Sequence, residues 1–348
     1  MQGIKIGNKK SKYPIIQGGM GVGVSLHKLA GHVSKEGGIG VISTADIGYQ
    51  EPDFNTNPLA ANLRAIGSEI KKAREIAGSD KILGVNVMVA LQNYAEIVKE
   101  CVKQKIDLII SGAGIPKDLP EFVKNSNTKI APIVSSLRCC QLIVKHWIKK
   151  YNYVPDMIVI EGPKAGGHLG FKKEELETSN LEDITKEVVQ YVKEIEKEYR
   201  KEIPVIAAGG IWDNKDINKF LELGADGVQM ATRFVTTYEC DASNEFKEAY
   251  INAKEEDIKI ISSPVGMPGR ALYNEFIKST ENEKSKITKC YKCIKTCDIK
   301  NTPYCITKAL INSVKGNLKE GLIFCGSNVD KVKELMTVHD LMEELAGV

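Results

Sequence analysis

A single histidine in a glycine-rich turn is the residue of this sequence best suited to proton transfer. The stretch EGPKAGGHLG, from Glu161 to Gly170, follows the apolar run DMIVI and places His168 directly after two glycines. The other histidines lie in stretches with helical patterns. A neutral imidazole can accept or donate a proton near neutral pH, and glycines let a ligand approach the backbone closely. The turn is therefore predicted to bring a proton-transferring group against a ligand.

Two loops late in the chain have the composition of a phosphate site. They are AAGGIWD (207–213) and QMATR (229–233). Gly209 and Gly210 lack the Cβ atoms that would block a phosphate, and backbone N–H groups can donate to it. The second loop adds further N–H groups, the Thr232 hydroxyl and a positive charge. Each loop alone is typical of a tight turn. Together they predict a phosphate-bearing ligand, because they follow the seventh and eighth strands of the barrel predicted below, where such barrels commonly bind phosphate.

The first predicted strand ends in another glycine-rich loop, QGGMGVGVS (17–25). It lacks the dinucleotide-binding fingerprint and fits better as a surface on which a flat ring system lies. Asn86, a polar residue in the apolar stretch GVNVM, is either a core amide or a ligand contact. No nucleophile elbow and no HExxH pattern is present in the sequence. We therefore expect His168 to move a proton while a cofactor carries out redox chemistry.

The elements that must position these residues alternate between strands and helices. The strand candidates are continuous apolar runs, which is typical of parallel sheets covered on both faces. Eight of them, each followed by a helix, predict an α/β fold, a closed (β/α)8 TIM barrel, with an open doubly wound sheet as the alternative. Ser25 is the predicted N-cap of the first helix. The strand candidates are YPIIQ, IGVIS, ILGVNVMVA, IDLIIS, KIAPIVS, DMIVIE, IPVIAAG and DGVQMAT.

Composition excludes several classes of partner. The chain has 348 residues, of which 43% are hydrophobic and 27% charged, and its net charge is +3. Acidic and basic residues are interspersed, so nothing points to a nucleic acid or an anionic membrane. No apolar run is long enough to span a bilayer, and the N-terminus lacks the core of a signal peptide. We therefore expect a cytoplasmic protein.

The alternation of strands and helices stops near Lys259. We predict a barrel over residues 1–258 and, over residues 259–348, a C-terminal helical extension that packs on the barrel. The stretch SSPVGMPGRAL is predicted to be a loop, and ITKALINSVKG and TVHDLMEELAG to be helices.

The extension contains a cysteine-rich segment at residues 290–305. Cys290, Cys293, Cys297 and Cys305 have the spacing CxxCxxxCx7C. This spacing is close to that of zinc sites and iron–sulfur clusters. The alternative is a group of reduced thiols packed at the barrel edge. The four cysteines are thus candidate ligands of zinc or of an iron–sulfur cluster.

A series of ordered motifs resembles the nitronate monooxygenase family, formerly called 2-nitropropane dioxygenases, and the closely related flavin-dependent enoyl-acyl-carrier-protein reductases. The motifs are IIQGGM, GVN, EGPKAGGHLG, PVIAAGGI and GADGVQMATRF. The resemblance implies an FMN-dependent barrel in which His168 is the catalytic residue. The FMN contacts that it implies are Gly18, Gly19, Met20, Asn86, Glu161, Gly166, Gly167, Gly209, Gly210, Gln229, Met230, Ala231 and Thr232.

The resemblance leaves two reactions open. In the first, an alkyl nitronate is oxidised with O2 to a carbonyl compound and nitrite, and His168 deprotonates a nitroalkane or orients the nitronate. In the second, NAD(P)H reduces an enoyl thioester through the flavin. Lys164 and the stretch FKKEEL favour the first reaction, whereas GGM favours the second. A non-catalytic flavin-binding sensor of metal or redox state is a third interpretation. The sequence leaves open whether the protein forms a homodimer.

Overall fold

The computed structural model describes residues 1–348, except for the side chain of Asn282. Most of its strands form where the sequence has short runs of apolar and β-branched residues, which pack well on a buried, pleated surface. In chain order they are β1 (Lys5–Ile6), β2 (Lys9–Lys10), β3 (Ile15–Gln17), β4 (Gly40–Ser43), β5 (Leu83–Met88), β6 (Leu108–Gly112), β7 (Lys129–Val134), β8 (Ile158–Glu161), β9 (Gly167–His168), β10 (Val205–Ala208), β11 (Gly227–Met230), β12 (Ile258–Ser262) and β13 (Pro268–Leu272).

The helices follow the strands with an apolar face turned inward, and several begin at polar side chains that accept a backbone hydrogen bond. In chain order they are α1 (His27–Lys35), α2 (Pro58–Ala77), α3 (Tyr94–Lys103), α4 (Leu119–Phe122), α5 (Leu137–Tyr151), α6 (Leu181–Tyr199), α7 (Asn214–Glu222), α8 (Thr232–Val235), α9 (Asn244–Ile251), α10 (Glu275–Asn282), α11 (Ile306–Val314) and α12 (Val338–Ala346). No helix among the described residues combines the length and the apolar character that a membrane span requires.

Eight parallel strands form the barrel, in the order β3-β11-β10-β8-β7-β6-β5-β4. Its two ends meet where the Ile39 N–H donates to the carbonyl of Ile15 and the Gln17 N–H donates to the carbonyl of Ile39, both at 2.9 Å. The predicted (β/α)8 barrel is confirmed, and every predicted strand overlaps an observed one.

The barrel interior is filled by side chains, so ligands are confined to its mouth. Ile16, Val41, Leu108 and Val159 are fully buried inside it, and Ile4 packs against them from the N-terminal hairpin. The plugged end is the one at which the strands begin. The carboxyl ends of the strands are therefore left to form a site.

The start of α1 differs from the prediction. Ser25 does not cap the helix. The N-cap residue is Leu26, whose side chain makes no capping hydrogen bond. The carboxylate of Asp241 accepts instead from the backbone N–H groups of Leu26 (2.8 Å), Lys28 (3.3 Å) and Leu29 (3.2 Å). A residue more than two hundred positions further along the chain thus caps α1.

The stretch predicted as a loop after residue 262 contains a strand. β12 and β13 form an antiparallel hairpin, and β13 also pairs with β9. Proline and glycine suggested a loop, but β13 begins at Pro268, where a strand tolerates proline. The boundary at residue 258 stays a prediction.

The C-terminal helix α12 lies against the barrel. Glu344 forms a 2.7 Å ion pair with Arg233, and the carbonyl of Leu345 accepts from the Asn214 amide at 2.9 Å. The chain therefore returns to the outer helices of the barrel before it ends.

Substitution of Asp241 tests the long-range cap. Asp241→Ala leaves three N–H groups of α1 without their acceptor, so we expect the free energy of unfolding to fall by about 1–2 kcal/mol. Urea denaturation measures the change. Asp80→Ala is the control, since the Asp80 side chain is 75% exposed. Equal effects of the two substitutions would contradict the capping role.

Candidate functional site

The residues singled out in the sequence line one cavity at the carboxyl ends of the barrel strands. The cavity has a volume of about 260 Å³. Loops that are far apart in sequence meet there because the carboxyl ends of parallel barrel strands share one face. The predicted residues that line it are Gly18, Gly19, Met20, Asn86, Glu161, Gly166, Gly167, His168, Gly209, Gly210, Gln229, Met230, Ala231 and Thr232.

His168 is held by backbone and side-chain contacts. In β9, His168 pairs with Gly269 of β13. Its Nε2 lies 2.7 Å from the hydroxyl of Ser263, and its ring meets that of Phe324 edge-on with centroids 4.9 Å apart. The imidazole therefore has a fixed orientation at the cavity wall, and Nδ1 is the nitrogen left for a ligand.

Arg270 fixes the turn that precedes the histidine. Its guanidinium donates to the carbonyl of Pro163 at 2.9 Å and also to that of Ala165. These carbonyls have no partner within the turn itself, and a buried charge is tolerated only when its donors are used. Arg270 thus replaces the missing hydrogen bonds of the turn.

Burial favours the uncharged forms of His168 and Glu161, two titratable groups that line the cavity. It lowers the pKa of His168 to about 4 and raises the pKa of Glu161 to about 7. The imidazole is therefore neutral at neutral pH, and the Glu161 carboxyl changes charge there. Both groups lack an ion-pair partner among the described residues.

One end of the cavity is polar. Gly209 and Gly210 adopt φ values of +103° and +83°, a conformation that side chains disfavour. The Asn328 amide donates to the carbonyl of Gly210 at 2.8 Å, and the Thr232 hydroxyl accepts from the N–H of Gly326 at 3.2 Å. The segment 326–328 thus closes over both predicted phosphate loops.

Two buried polar atoms at the cavity have no partner within the described residues: Gln229 Oε1 and Ser327 Oγ. An unpaired buried polar atom costs about 1–3 kcal/mol, so such atoms generally mark a ligand or water position. The Lys164 side chain, which is exposed, lies beside Gly210 at the same end. The donors, acceptors and positive charge here fit a phosphate and the polar edge of a ring system.

The four cysteines of residues 290–305 are free thiols, and Cys293 also lines the cavity. Among the described residues no group of three or more His, Cys, Asp or Glu side chains is placed to hold one metal ion. The predicted zinc or iron–sulfur site therefore finds no support.

Several residues at the site were not predicted from the sequence. Ser263, Arg270, Phe324 and Ser327 all follow the predicted barrel, and no local motif marks them. Phe324 and Ser327 line the cavity, and Ser263 and Arg270 contact the histidine and its turn, because the chain folds back over the mouth of the barrel. Arg270 could have been found only by predicting that the stretch PGRAL pairs as a strand with the stretch GGHLG.

Comparison with known proteins agrees with this arrangement. The nitronate monooxygenase family profile matches residues 3–347. A probable nitronate monooxygenase of Staphylococcus saprophyticus is 31% identical in an alignment of 290 residues, and the match covers 76% of this chain and 77% of that protein. FabK from Thermotoga maritima has a TM-score of 0.73 at 24% identity, with coverage of 97% and 92%. Nitroalkane oxidase from Streptomyces ansochromogenes has a TM-score of 0.71 at 19% identity, with coverage of 97% and 95%. The two structural similarities concern the fold.

Neighbouring glycines of the histidine turn are expected to respond differently to alanine. A Cβ added at Gly166 would lie 2.6 Å from the carbonyl carbon of Cys325, whereas one at Gly167 would meet nothing within 4 Å. Gly166→Ala should therefore push the backbone of residues 325–326 away and expose the buried Cys325 thiol. We expect iodoacetamide labelling of Cys325, followed by peptide mass spectrometry, to become several-fold faster.

Gly167→Ala is the matched control. It carries the strain of a φ of +72° but does not displace residues 325–326, so Cys325 should label at the rate of the unaltered protein. Faster labelling in Gly167→Ala than in Gly166→Ala would show that the turn does not pack as described.

Proposed function

Since this chain belongs to the nitronate monooxygenase family, we propose that it is an FMN-dependent oxidoreductase that oxidises alkyl nitronates with O2 to a carbonyl compound and nitrite. One observation carries the proposal: the family motifs surround a single cavity in which Gln229 Oε1 and Ser327 Oγ lack partners. Such a cavity is suited to a ligand with a flat ring and a phosphate.

The proposed FMN site uses the two sides of the cavity differently. Gly18, Gly19 and Met20 would lie beside the ring, and Asn86, Glu161, Gly166 and Gly167 would complete its surroundings. Gly209, Gly210, Gln229, Met230, Ala231 and Thr232 would hold the phosphate end. Bound FMN supplies the electron acceptor for the nitronate and the centre at which oxygen reacts.

His168 is proposed to orient the nitronate. With its pKa at about 4 the imidazole is a weak base, poorly matched to removing a proton from carbon at neutral pH. A nitronate has already lost that proton. Nε2 is engaged with Ser263, so Nδ1 can contact a nitronate oxygen. The weakly basic imidazole therefore favours the anionic nitronate over the neutral nitroalkane as substrate.

The alternative functions would use the same cavity. Reduction of an enoyl thioester by NAD(P)H is the alternative that the sequence motifs leave open, and the likeness to FabK, at 24% identity, concerns the fold alone. The likeness to a probable nitronate monooxygenase is higher in sequence, at 31%. A non-catalytic sensor would bind FMN and turn over neither substrate.

Nitrite release tests the proposed reaction. We expect the FMN-loaded protein to consume O2 and release nitrite from ethane or butane nitronate, and His168→Ala to lower kcat/KM about 100-fold or more. The flavin absorbance of the variant should match that of the unaltered protein, which shows that the cofactor site survives. FMN binding without nitrite release from either nitronate would contradict the proposal.

The charge of Glu161 should set the alkaline limb of the pH profile. Because the pKa of Glu161 is about 7, the carboxyl ionises as the pH rises through 7 and then repels the anionic nitronate. We expect kcat/KM to fall between about pH 6.5 and 8.5. The pKa of His168, at about 4, keeps the imidazole neutral across this range.

Glu161→Gln is the matched variant, because its amide has the same shape and no charge. Its kcat/KM should stay constant through the alkaline range. A fall of the same size in this variant would assign the limb to another group.

Lys164 and Ser327 are expected to contribute to the affinity for the phosphate. Lys164→Met removes the positive charge beside Gly210, and Ser327→Ala removes an unpartnered hydroxyl. Each should weaken FMN binding about three- to tenfold and leave riboflavin binding unchanged, since riboflavin lacks the phosphate. Fluorescence titration of the flavin-free protein measures both affinities. Lys186→Met is the control. An equal loss of affinity for FMN and for riboflavin in Lys164→Met or Ser327→Ala would show that the residue does not contact the phosphate.

A further inference from the structure

Four free thiols of the C-terminal extension are not used by the proposed reaction: Cys290, Cys293, Cys297 and Cys305. Among the described residues no three of them are placed to hold one metal ion. Thiols that are neighbours without forming such a group can still be joined as a disulfide. We propose that Cys290 and Cys297 form a redox-active dithiol, which a hydroperoxide oxidises to a disulfide.

The thiols differ in their access to solvent. Cys290 is exposed, and Cys297 is half-buried in a stretch of exposed residues. Cys293 lies deeper and lines the cavity, and burial raises its pKa to about 12. Because the thiolate is the form that reacts with an oxidant, Cys293 stays unreactive. An oxidant from solvent therefore meets Cys290 first.

Two turns bring Cys297 back towards Cys290. The Lys292 N–H donates to the Cys290 sulfur at 3.3 Å, and Lys292 has a φ of +52°, which bends the chain. In the second turn the Cys297 N–H donates to the carbonyl of Ile294 at 3.5 Å. Burial raises the pKa of Cys297, and the nearby sulfur of Cys290 raises it further. The two sulfurs are thus neighbours across the turns.

Cys305 is a poorer partner for Cys290. It is the N-cap residue of α11, and the Thr307 hydroxyl of that helix donates to the Asp46 carboxyl at 2.6 Å. Burial raises the pKa of Cys305, and the charges of Asp46 and Cys290 add to the rise. A protonated thiol fixed at the start of a tethered helix reacts more slowly than Cys297, which lies in an exposed stretch.

The oxidation by hydrogen peroxide balances in two steps. The Cys290 thiolate attacks one oxygen, the O–O bond breaks and hydroxide leaves, so Cys290 becomes a sulfenic acid. The Cys297 sulfur then forms the S–S bond as the S–O bond breaks, and its proton leaves with the oxygen as water. The two thiols together lose two electrons, which reduce the peroxide to water.

The disulfide closes a loop around part of the cavity wall, since Cys293 and Ile294 line the cavity between the two cysteines. Ile294 forms a bridge with Leu91, and the Gln92 N–H donates to the carbonyl of Cys293 at 2.8 Å. Among residues 289–297, all of which the structure describes, Ile294 alone is buried. Such a stretch opens at low cost. A disulfide across it removes open conformations, so oxidation holds this wall closed.

Peptide mapping of the full-length protein tests the dithiol. The protein is treated with a small molar excess of hydrogen peroxide, blocked with N-ethylmaleimide and digested without reductant. We expect the main disulfide to join Cys290 and Cys297. Cys290→Ser should abolish it, and Cys297→Ser should leave Cys290 as a sulfenic acid that dimedone traps. Cys139→Ser is the matched control, since it removes a half-buried thiol on α5 and should change neither result.

Cleavage by trypsin after Lys292 and Lys295, which are both exposed, measures the opening of the wall. Oxidised protein should be cleaved at these bonds about three- to tenfold more slowly than reduced protein, because the disulfide restricts the open state. Peptide mass spectrometry after reduction measures the rates. In Cys297→Ser, peroxide should leave the rate of cleavage unchanged.

Several outcomes would overturn the proposal. They are a main disulfide between Cys290 and Cys305, a Cys290 that peroxide leaves reduced, and stoichiometric zinc or iron that purifies with the protein and shields Cys290 from N-ethylmaleimide. Equal cleavage of the oxidised and reduced proteins would refute the hold on the cavity wall. None of these measurements needs a nitronate or turnover, so the dithiol and the proposed function are tested separately.

Discussion

The pairing of β9 with β13 is the constraint on which the site depends. A turn of small residues after β8 cannot hold a histidine in one orientation by itself, because glycine loses much conformational freedom on ordering. The backbone pairing of His168 with Gly269, and the donation by Arg270 to the carbonyls of the turn, provide this order from outside the barrel. The barrel thus supplies the position of the histidine, and the chain beyond the barrel supplies its orientation.

The same fold-back sets the polarity of the cavity. The segment around Phe324 and Ser327 covers the mouth, and the resulting loss of water keeps His168 neutral and brings the pKa of Glu161 to about 7. A cavity with a weakly basic imidazole and a carboxyl poised to ionise is sensitive to the charge of its ligand. The proposed anionic substrate follows from this balance of desolvation and pairing.

Local sequence patterns predicted the barrel because buried parallel strands and amphipathic helices leave periodic traces in short windows. They also predicted the residues that line the cavity, since strand ends with glycines converge by geometry. Contacts between distant segments left no such trace. Asp241 caps α1 across more than two hundred residues, and Pro268 and Gly269 made the segment of β13 resemble a loop. No local motif marks Ser327. The cysteine spacing suggested a metal, although spacing alone does not fix whether thiols converge.

In the proposed reaction, a nitronate delivers electrons to a flavin bound in this cavity. The most direct measurement is the visible spectrum of the purified FMN-loaded protein under anaerobic conditions, after addition of butane nitronate and, separately, of NADH. We predict that the nitronate bleaches the flavin bands within the time of one turnover and that NADH leaves them unchanged. Rapid bleaching by NADH, with no change on addition of the nitronate, would contradict the claim and point to the enoyl thioester reductase.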